Sequence, residues 1–407
     1  MKKTVLRRYA RLIARVGAGV QKGQAVTVFA QLDQPEFVTM LAEECYRAGA
    51  SDVRVEFSHQ PLEKLRYRHA GLKTLSRTEE WEKAKMQHQA DTLPCRILLL
   101  SEDPDGLKGV NNEKYAKASQ ARGAVAKYYR DLRDGKEQWC IAAVPGKAWA
   151  KKVFPGKSAS QAVEALWQAI LTASRVTEDP EQAWKEHNEN LHARCAYLNS
   201  LHLRSLHYTA GNGTDFTVGM MPEAVFCAGQ EKTCDGKAYN PNIPSEECFI
   251  SPKRGVAEGI VYSSKPLSWQ GQIIDEFWIR FQDGKAVESG AKQGTELLEK
   301  MLTMDEGASY LGECALVPWE SPINRTGILF YNTLFDENAC CHLAVGRGFT
   351  DTIRDCHQRS QQEMAALGVN ESIIHVDFMI GTEDLSIDGV TEDGETVPLF
   401  RNGTWAF

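Results

Sequence analysis

Residues 25–57 read AVTVFAQLDQPEFVTMLAEECYRAGASDVRVEF. Ala25–Ala30 is an apolar, β-branched run, the composition of a buried strand. Pro35–Gly49 follows as a helix, with proline near its start and glycine just past its end. Asp52–Phe57 then alternates polar and apolar residues, which is the period of a strand. Strand, helix and strand in this order form a crossover unit whose two strands run parallel.

Outward from that unit the alternation continues. Arg96–Leu100 reads as a buried strand, Asn112–Asp134 as a long polar helix, Trp139–Val144 as a strand and Ser158–Val176 as a helix. Upstream, MKKTVLRRYARLIARV carries six positive charges and no acid. Val5, Tyr9, Leu12, Ile13 and Val16 fall at helical spacing there, with arginines on the other face, and no apolar run precedes a cleavage site. The expectation is a first helix rather than a targeting segment. Asp179–Ser200 reads as another helix, with Pro180 in its first turn. Beyond it the texture changes to hairpins, Gly255–Ser263 against Gly271–Phe281, with Asp283-Gly284 and Asp393-Gly394 as turn pairs suited to positive φ. A helix near Ala291–Met304 interrupts them. The expected architecture is an α/β scaffold domain with a mainly parallel sheet (1–177), then an α+β domain with a largely antiparallel sheet carrying the functional site (178–407).

Composition limits the function. A chain of 407 residues exceeds what one core usually holds. A net charge of −7 gives no footprint for nucleic acid, and no apolar stretch approaches the ~18 residues of a membrane span. The eleven cysteines are scattered, odd in number and contain no CxxC pair. Reduced thiols in a cytoplasmic protein are the expectation, and a thiolate-built zinc site is not. QLDQPE stands where a dinucleotide fold would place its glycine-rich turn, which excludes that reading.

The informative residues are in the second half. His375-Val-Asp377 lies between Ile373–Ile374 and Phe378-Met-Ile380, so an imidazole and a carboxylate project from the same face of an apolar strand. A hydrogen bond pinning the core and a metal site are both open from this pair alone. His342 opens the apolar run LAVGRGF, and Glu313 stands alone in YLGECALVP. Glu246 and Glu247 are adjacent, so only one of them faces a given site. Each acid alone reads as readily as a salt-bridged core group. Several such groups in apolar strands of one domain favour a metal, because separate buried ion pairs are costly. His187, His192, His202 and His207 lie in or just after the Asp179 helix and read as a solvated or interface face.

NIPSEECFISP, YLGECALVP, DENACCHLAVGRGF and IIHVDFMIGTEDLSIDG resemble the successive motifs of the aminopeptidase T and aminopeptidase S family of metallo-aminopeptidases. DPEQAW, RCAYLNSLHLRSLHY and GNGTDFTVGMMPEAVF extend the similarity over nearly the whole chain. Intervals of 66 residues from Glu247 to Glu313, 29 on to His342 and 33 on to His375 match the family pattern, and select Glu247 over Glu246. The resemblance implies two divalent ions per chain (zinc, cobalt or manganese) held by Glu247, Glu313, His342, His375 and Asp377. It implies release of N-terminal amino acids from short peptides by a metal-activated water, with Glu247 also taking part in catalysis, and a homodimer without nucleic-acid or membrane partners. Five ligands with one bridging carboxylate, plus a shared water, suffice for two four-coordinate ions. Glu246 is a weak candidate for a general base. One position departs from the family: Phe349 stands seven residues after His342, where family members carry tyrosine. That leaves two alternatives open, another metal-dependent amide or ester hydrolase and a catalytically impaired member.

Overall fold

The computed structural model describes every residue from Met1 to Phe407. The chain divides into two compact units, one of Met1–Lys185 with Gln230–Pro244, the other of Glu186–Gly229 with Ser245–Phe407.

The first unit is built on a five-stranded parallel sheet in the order Asp52–Ser58, Ala25–Gln31, Cys95–Leu100, Trp139–Ala143, Asn242–Ile243. The chain starts inside the sheet, moves to one edge and then crosses to build the other side, the doubly wound arrangement. Val26, Val28, Ile97, Leu99, Cys140 and Ala142 fall in register on one face of the sheet and are buried, while Arg96, Leu98 and Leu100 on the other face are half-buried. The quoted helix forms as Pro35–Ala48, and Gly49 caps it at φ 111°, a value that favours glycine. Lys3–Leu12 is the expected first helix. Tyr9, Ala10 and Leu12 are buried, and the Tyr9 ring lies 5.5 Å from Phe37 and 6.4 Å from Trp167. Its arginines meet acids: Arg7 pairs with Glu43 at 2.7 Å, and Arg8 with Glu178. The basic character of this segment therefore serves folding.

The second unit has two antiparallel sheets. The larger runs Leu267–Trp269, Gln272–Gln282, Pro252–Tyr262, Asp215–Met220, Leu203–Thr209, Ser386–Thr391, Thr396–Arg401, Thr404–Trp405, with Lys285–Gln293 also paired to Gln272–Gln282. Asp283 (φ 50°) and Gly284 (φ 77°) turn this last hairpin, the backbone that an Asp-Gly pair adopts most readily. The smaller sheet orders Cys248–Ile250, Leu311–Leu316, His342–Gly346 and His375–Met379. Leu206, Phe216, Phe277 and Ile279 of the larger sheet share one core with Cys314, Leu343 and Phe378 of the smaller. Side chains alternate along a strand, so the residues next to these on the smaller sheet face the other way. Glu313, His342 and Asp377 are among them. No helix is long and apolar enough to cross a membrane.

Candidate metal centre

The smaller sheet sets the site by register. Glu313 pairs with Ala344, and Ala344 with Asp377, so these three form one row across three strands. His342 and His375 stand two residues from Ala344 and Asp377 and share their face. Glu247 reaches the same face from the residue just before the strand Cys248–Ile250. Ala344 has only a methyl group between the two carboxylates, which leaves room above the sheet. Two glycines allow the strands to curve here. A side chain at Gly346, at φ 102°, would meet the Ile374 carbonyl at 2.2 Å, and one at Gly312 would meet that of Arg347 at 2.2 Å. Gly312 sits where the register shifts between Leu311 and Glu313.

The ionisable atoms converge. His342 Nε2 lies 3.2 Å from Glu247 Oε2, and His375 Nε2 lies 3.0 Å from Glu313 Oε2 and 3.2 Å from Asp377 Oδ1. Glu247, Glu313 and His342 form one trio, and Glu313, His375 and Asp377 another. Within each trio, one ligand atom per residue lies within 4.8 Å of the others. Glu313 belongs to both. All five residues that the sequence singled out are thus brought together on one face.

The imidazoles are oriented from behind. His375 Nδ1 is 2.6 Å from the Arg347 carbonyl, and His342 Nδ1 is 3.3 Å from the Cys340 carbonyl. A carbonyl only accepts, so each Nδ1 donates a proton to it and each Nε2 faces the carboxylates, where it can hold either a proton or a cation. Lone pairs facing carboxylate oxygens at ~3 Å repel unless a proton or a cation stands between them. Asp377 Oδ1 is buried and close to His375, yet it accepts no well-formed hydrogen bond. These atoms fit a cation, and imidazole nitrogen with carboxylate oxygen suits a divalent transition metal.

Protonation follows the same logic. Burial drives the Glu313 carboxyl up to about 7, partly opposed by its hydrogen bond with His375. Burial works against charge on His342, but the hydrogen bond and field of Glu247 prevail and lift it to about 9. Burial likewise opposes the Asp377 carboxylate, and the His375 charge overrides it, holding the group at about 2. The chain alone thus keeps protons where a cation would sit.

Glu337 is the functional candidate that the sequence did not single out. Burial, with the charges of Asp377, Glu247 and Glu313, pushes its carboxyl well above the usual range. It follows Asp336 in a short helical turn, with Asn338 Nδ2 3.3 Å from its Oε1. The available signal was the Asp-Glu-Asn run directly before an apolar strand that opens on histidine. Glu246 turns elsewhere: its backbone N–H donates to Asn338 Oδ1, and its carboxylate lies 4.0 Å from His187 Nε2. His187 also reaches the Ser245 carbonyl at 2.7 Å, whereas His207 pairs with Asp215 at 2.8 Å. Neither joins the two trios.

Phe349 lies beside the centre. Its ring centroid is 4.6 Å from that of His375 and 5.8 Å from that of Phe249. Its backbone N–H donates to Ser251 Oγ at 2.8 Å. The ring therefore buttresses the imidazole, with no hydroxyl to offer.

Comparison with known proteins agrees with this chemistry. Residues 2–405 match the family described as thermophilic metalloprotease (M29). The chain is 41% identical over 404 residues to aminopeptidase AmpS of Bacillus subtilis (strain 168), covering 99% of this chain and 98% of that protein. It is 40% identical over 402 residues to aminopeptidase T of Thermus aquaticus, covering 98% of each. The structure of wild-type AmpT from Thermus thermophilus superposes with a TM-score of 0.92 at 37% identity, covering all of both chains. With a match over nearly its whole length and buried nitrogen and oxygen donors gathered on one sheet face, this chain belongs to the thermophilic metalloprotease family M29.

Proposed function

We infer that the chain is a metal-dependent aminopeptidase, and the single observation that carries this beyond family membership is the pair of donor trios sharing Glu313. Two divalent ions fit that pattern, one held by Glu247, Glu313 and His342, the other by Glu313, His375 and Asp377, with zinc, cobalt and manganese all suited to the donors. When bound, such ions supply Lewis acidity to a water and to the scissile carbonyl. The remaining work falls to the side chains around them. Arg347 and Cys340 carbonyls hold the imidazoles in the tautomer that presents Nε2. Phe349 packs against the His375 ring. Glu337, half-buried beside the carboxylates, takes a proton from the attacking water and returns it to the leaving amine. Its charge is unfavourable beside Asp377 and Glu313, so it binds a proton readily and gives it up when the field at the centre is positive.

The substrates we assign are short peptides with a free N-terminus. The protein working as a cytoplasmic homodimer accords with the eleven free thiols and with the sequence resemblance. Family membership does not favour an amide or ester hydrolase of another kind. Hydrolysis of a panel of aminoacyl-nitroanilides and di- to pentapeptides, before and after chelation and readdition of zinc, cobalt or manganese, tests the reading. The expected result is release of the N-terminal residue, abolished by chelator and restored by metal. Metal-independent release, or cleavage inside the chain, contradicts it.

A further inference from the structure

Asn370 is buried five residues ahead of His375. Its Nδ2 donates to the Gly346 carbonyl at 2.6 Å and to the Gly307 carbonyl at 2.8 Å. Two carbonyl partners fix which end of the side chain is the amide nitrogen. Oδ1, by contrast, is buried and accepts no hydrogen bond. An unmet buried acceptor is destabilising, so what this side chain contributes lies in its donors.

Those donors act on the backbone around Arg347, whose carbonyl orients His375. A peptide unit is planar and trans, with its N–H and C=O pointing in opposite directions. In the unit joining Gly346 to Arg347, the oxygen accepts from Asn370 Nδ2 and the N–H donates to the Ile374 carbonyl at 2.7 Å. In the unit joining Arg347 to Gly348, the N–H donates to the Asn370 main-chain carbonyl at 2.8 Å. The oxygen of that unit accepts from His375 Nδ1 at 2.6 Å. Asn370 thus grips both peptide planes that meet at Arg347. Glycines flank Arg347 on either side, so without the grip these planes would turn easily. The acceptor behind His342 is a different group, the Cys340 carbonyl at 3.3 Å. Both hydrogens of Asn370 Nδ2 are already taken by Gly346 and Gly307.

We propose that Asn370 is the positioning residue for the ion held by Glu313, His375 and Asp377. By fixing the Arg347 carbonyl it aims His375 Nε2, and the ion of Glu247, Glu313 and His342 does not depend on it. The inference rests on the two-ion aminopeptidase reading and adds to it a reason why the two ions are held unequally. Partners behind a metal-binding imidazole typically change affinity by ~10- to 100-fold.

Zinc binding by the full chain, measured in competition with a fluorescent indicator, tests this. The wild type should show two binding steps. Asn370→Ala should weaken one step by ~10- to 100-fold and move the other by less than about threefold. Anomalous maps from crystals of the variant at limiting zinc should lose the peak beside Asp377 and keep the one beside Glu247. Asn370→Asp keeps the shape and replaces the donor with an acceptor. It should show the same selective loss, and it decides the matter if the alanine variant does not fold. Ile279→Ala, in the core of the larger sheet, shows what lost stability does alone, and should keep both steps. Hydrolysis by Asn370→Ala should be low at limiting zinc and recover as free zinc is raised. Two unchanged steps in the Asn370 variants, or equal weakening of both steps, would overturn the proposal. The aminopeptidase reading would then stand so long as zinc still restored release of the N-terminal residue. A wild type that binds a single ion would overturn both. Selective loss of one ion from a protein that hydrolyses no aminoacyl substrate would support the positioning role and end the aminopeptidase reading.

Discussion

Glu313 and Asp377 face each other across one strand, with only the methyl group of Ala344 in the row between them. The two carboxylates can therefore approach the same cation, and Ala344 decides how much space lies between them.

That makes Ala344 the position at which the centre can be closed without touching a ligand. Ala344→Leu adds three carbons on the ligand face of a sheet whose other face is the core. The expected outcome is a folded protein with far-ultraviolet dichroism like the wild type and less than one metal ion per chain. Some loss of stability is expected too, of ~1–3 kcal/mol from overpacking. Full metal retention would mean that the row is not the floor of the site.

Metal binding should release protons. Glu313 is raised from an ordinary 4.5 to about 7, and His342 from 6.5 to about 9, so near pH 7 the metal-free chain holds protons that a cation displaces. Titration calorimetry in buffers of different ionisation enthalpy should show this release, with affinity falling as pH is lowered. The same shifts set the stability of the metal-free protein. Between pH 4.5 and 7 at Glu313, and between 6.5 and 9 at His342, the folded chain binds more protons than the unfolded one. Stability must then fall as pH rises through those windows. Chelated protein should melt at a lower temperature at pH 9 than at pH 6. Asp377, held at about 2 rather than 3.8, contributes the opposite slope only in strong acid.

Glu337→Gln separates proton transfer from metal binding. The amide keeps the shape of the side chain and its contact with Asn338, but cannot exchange a proton. A loss of ~10²- to 10⁴-fold in kcat is expected, with metal content intact. An unchanged kcat, or loss of metal, would remove Glu337 from the role assigned to it.

Phe349→Tyr restores the hydroxyl beside His375. Because that donor would act on charge developing in the transition state, kcat/KM should rise by up to ~10²-fold, with KM changing less than kcat. An unchanged rate with unchanged metal content would show that position 349 serves only to pack the imidazole.

The parallel sheet was legible because Ala25–Ala30 and Arg96–Leu100 are apolar runs and Asp52–Phe57 alternates, with capped helices such as Pro35–Ala48 between strands. The segment between Ser58 and Cys95 was not. It folds into three helices, Gln60–His69, Leu72–Ser76 and Glu80–Thr92, and the first and last have no buried residues. Without an apolar stripe, the 3.6-residue period leaves no mark in the sequence. The return of Gln230–Pro244 to the first unit was equally hidden, since pairing of a two-residue strand, Asn242–Ile243, has no local signature. At the site, His375 and Asp377 stood out as polar residues on an apolar strand. Their neighbours reinforce the pattern: Cys314 and Cys341 are buried on the core side of the residues next to Glu313 and His342. Glu337 lacked that contrast, because it sits in a polar turn where an acid is unremarkable. Only the folded chain shows the charges that surround it.

Two metal ions should share Glu313. Anomalous diffraction from crystals of the zinc-loaded protein, collected on both sides of the zinc absorption edge, tests it most directly. Two peaks ~3.5–4 Å apart are expected, one within bonding distance of Glu247 and His342, the other of His375 and Asp377, with Glu313 in contact with both. A single peak at full loading, or two peaks that do not both contact Glu313, would contradict it.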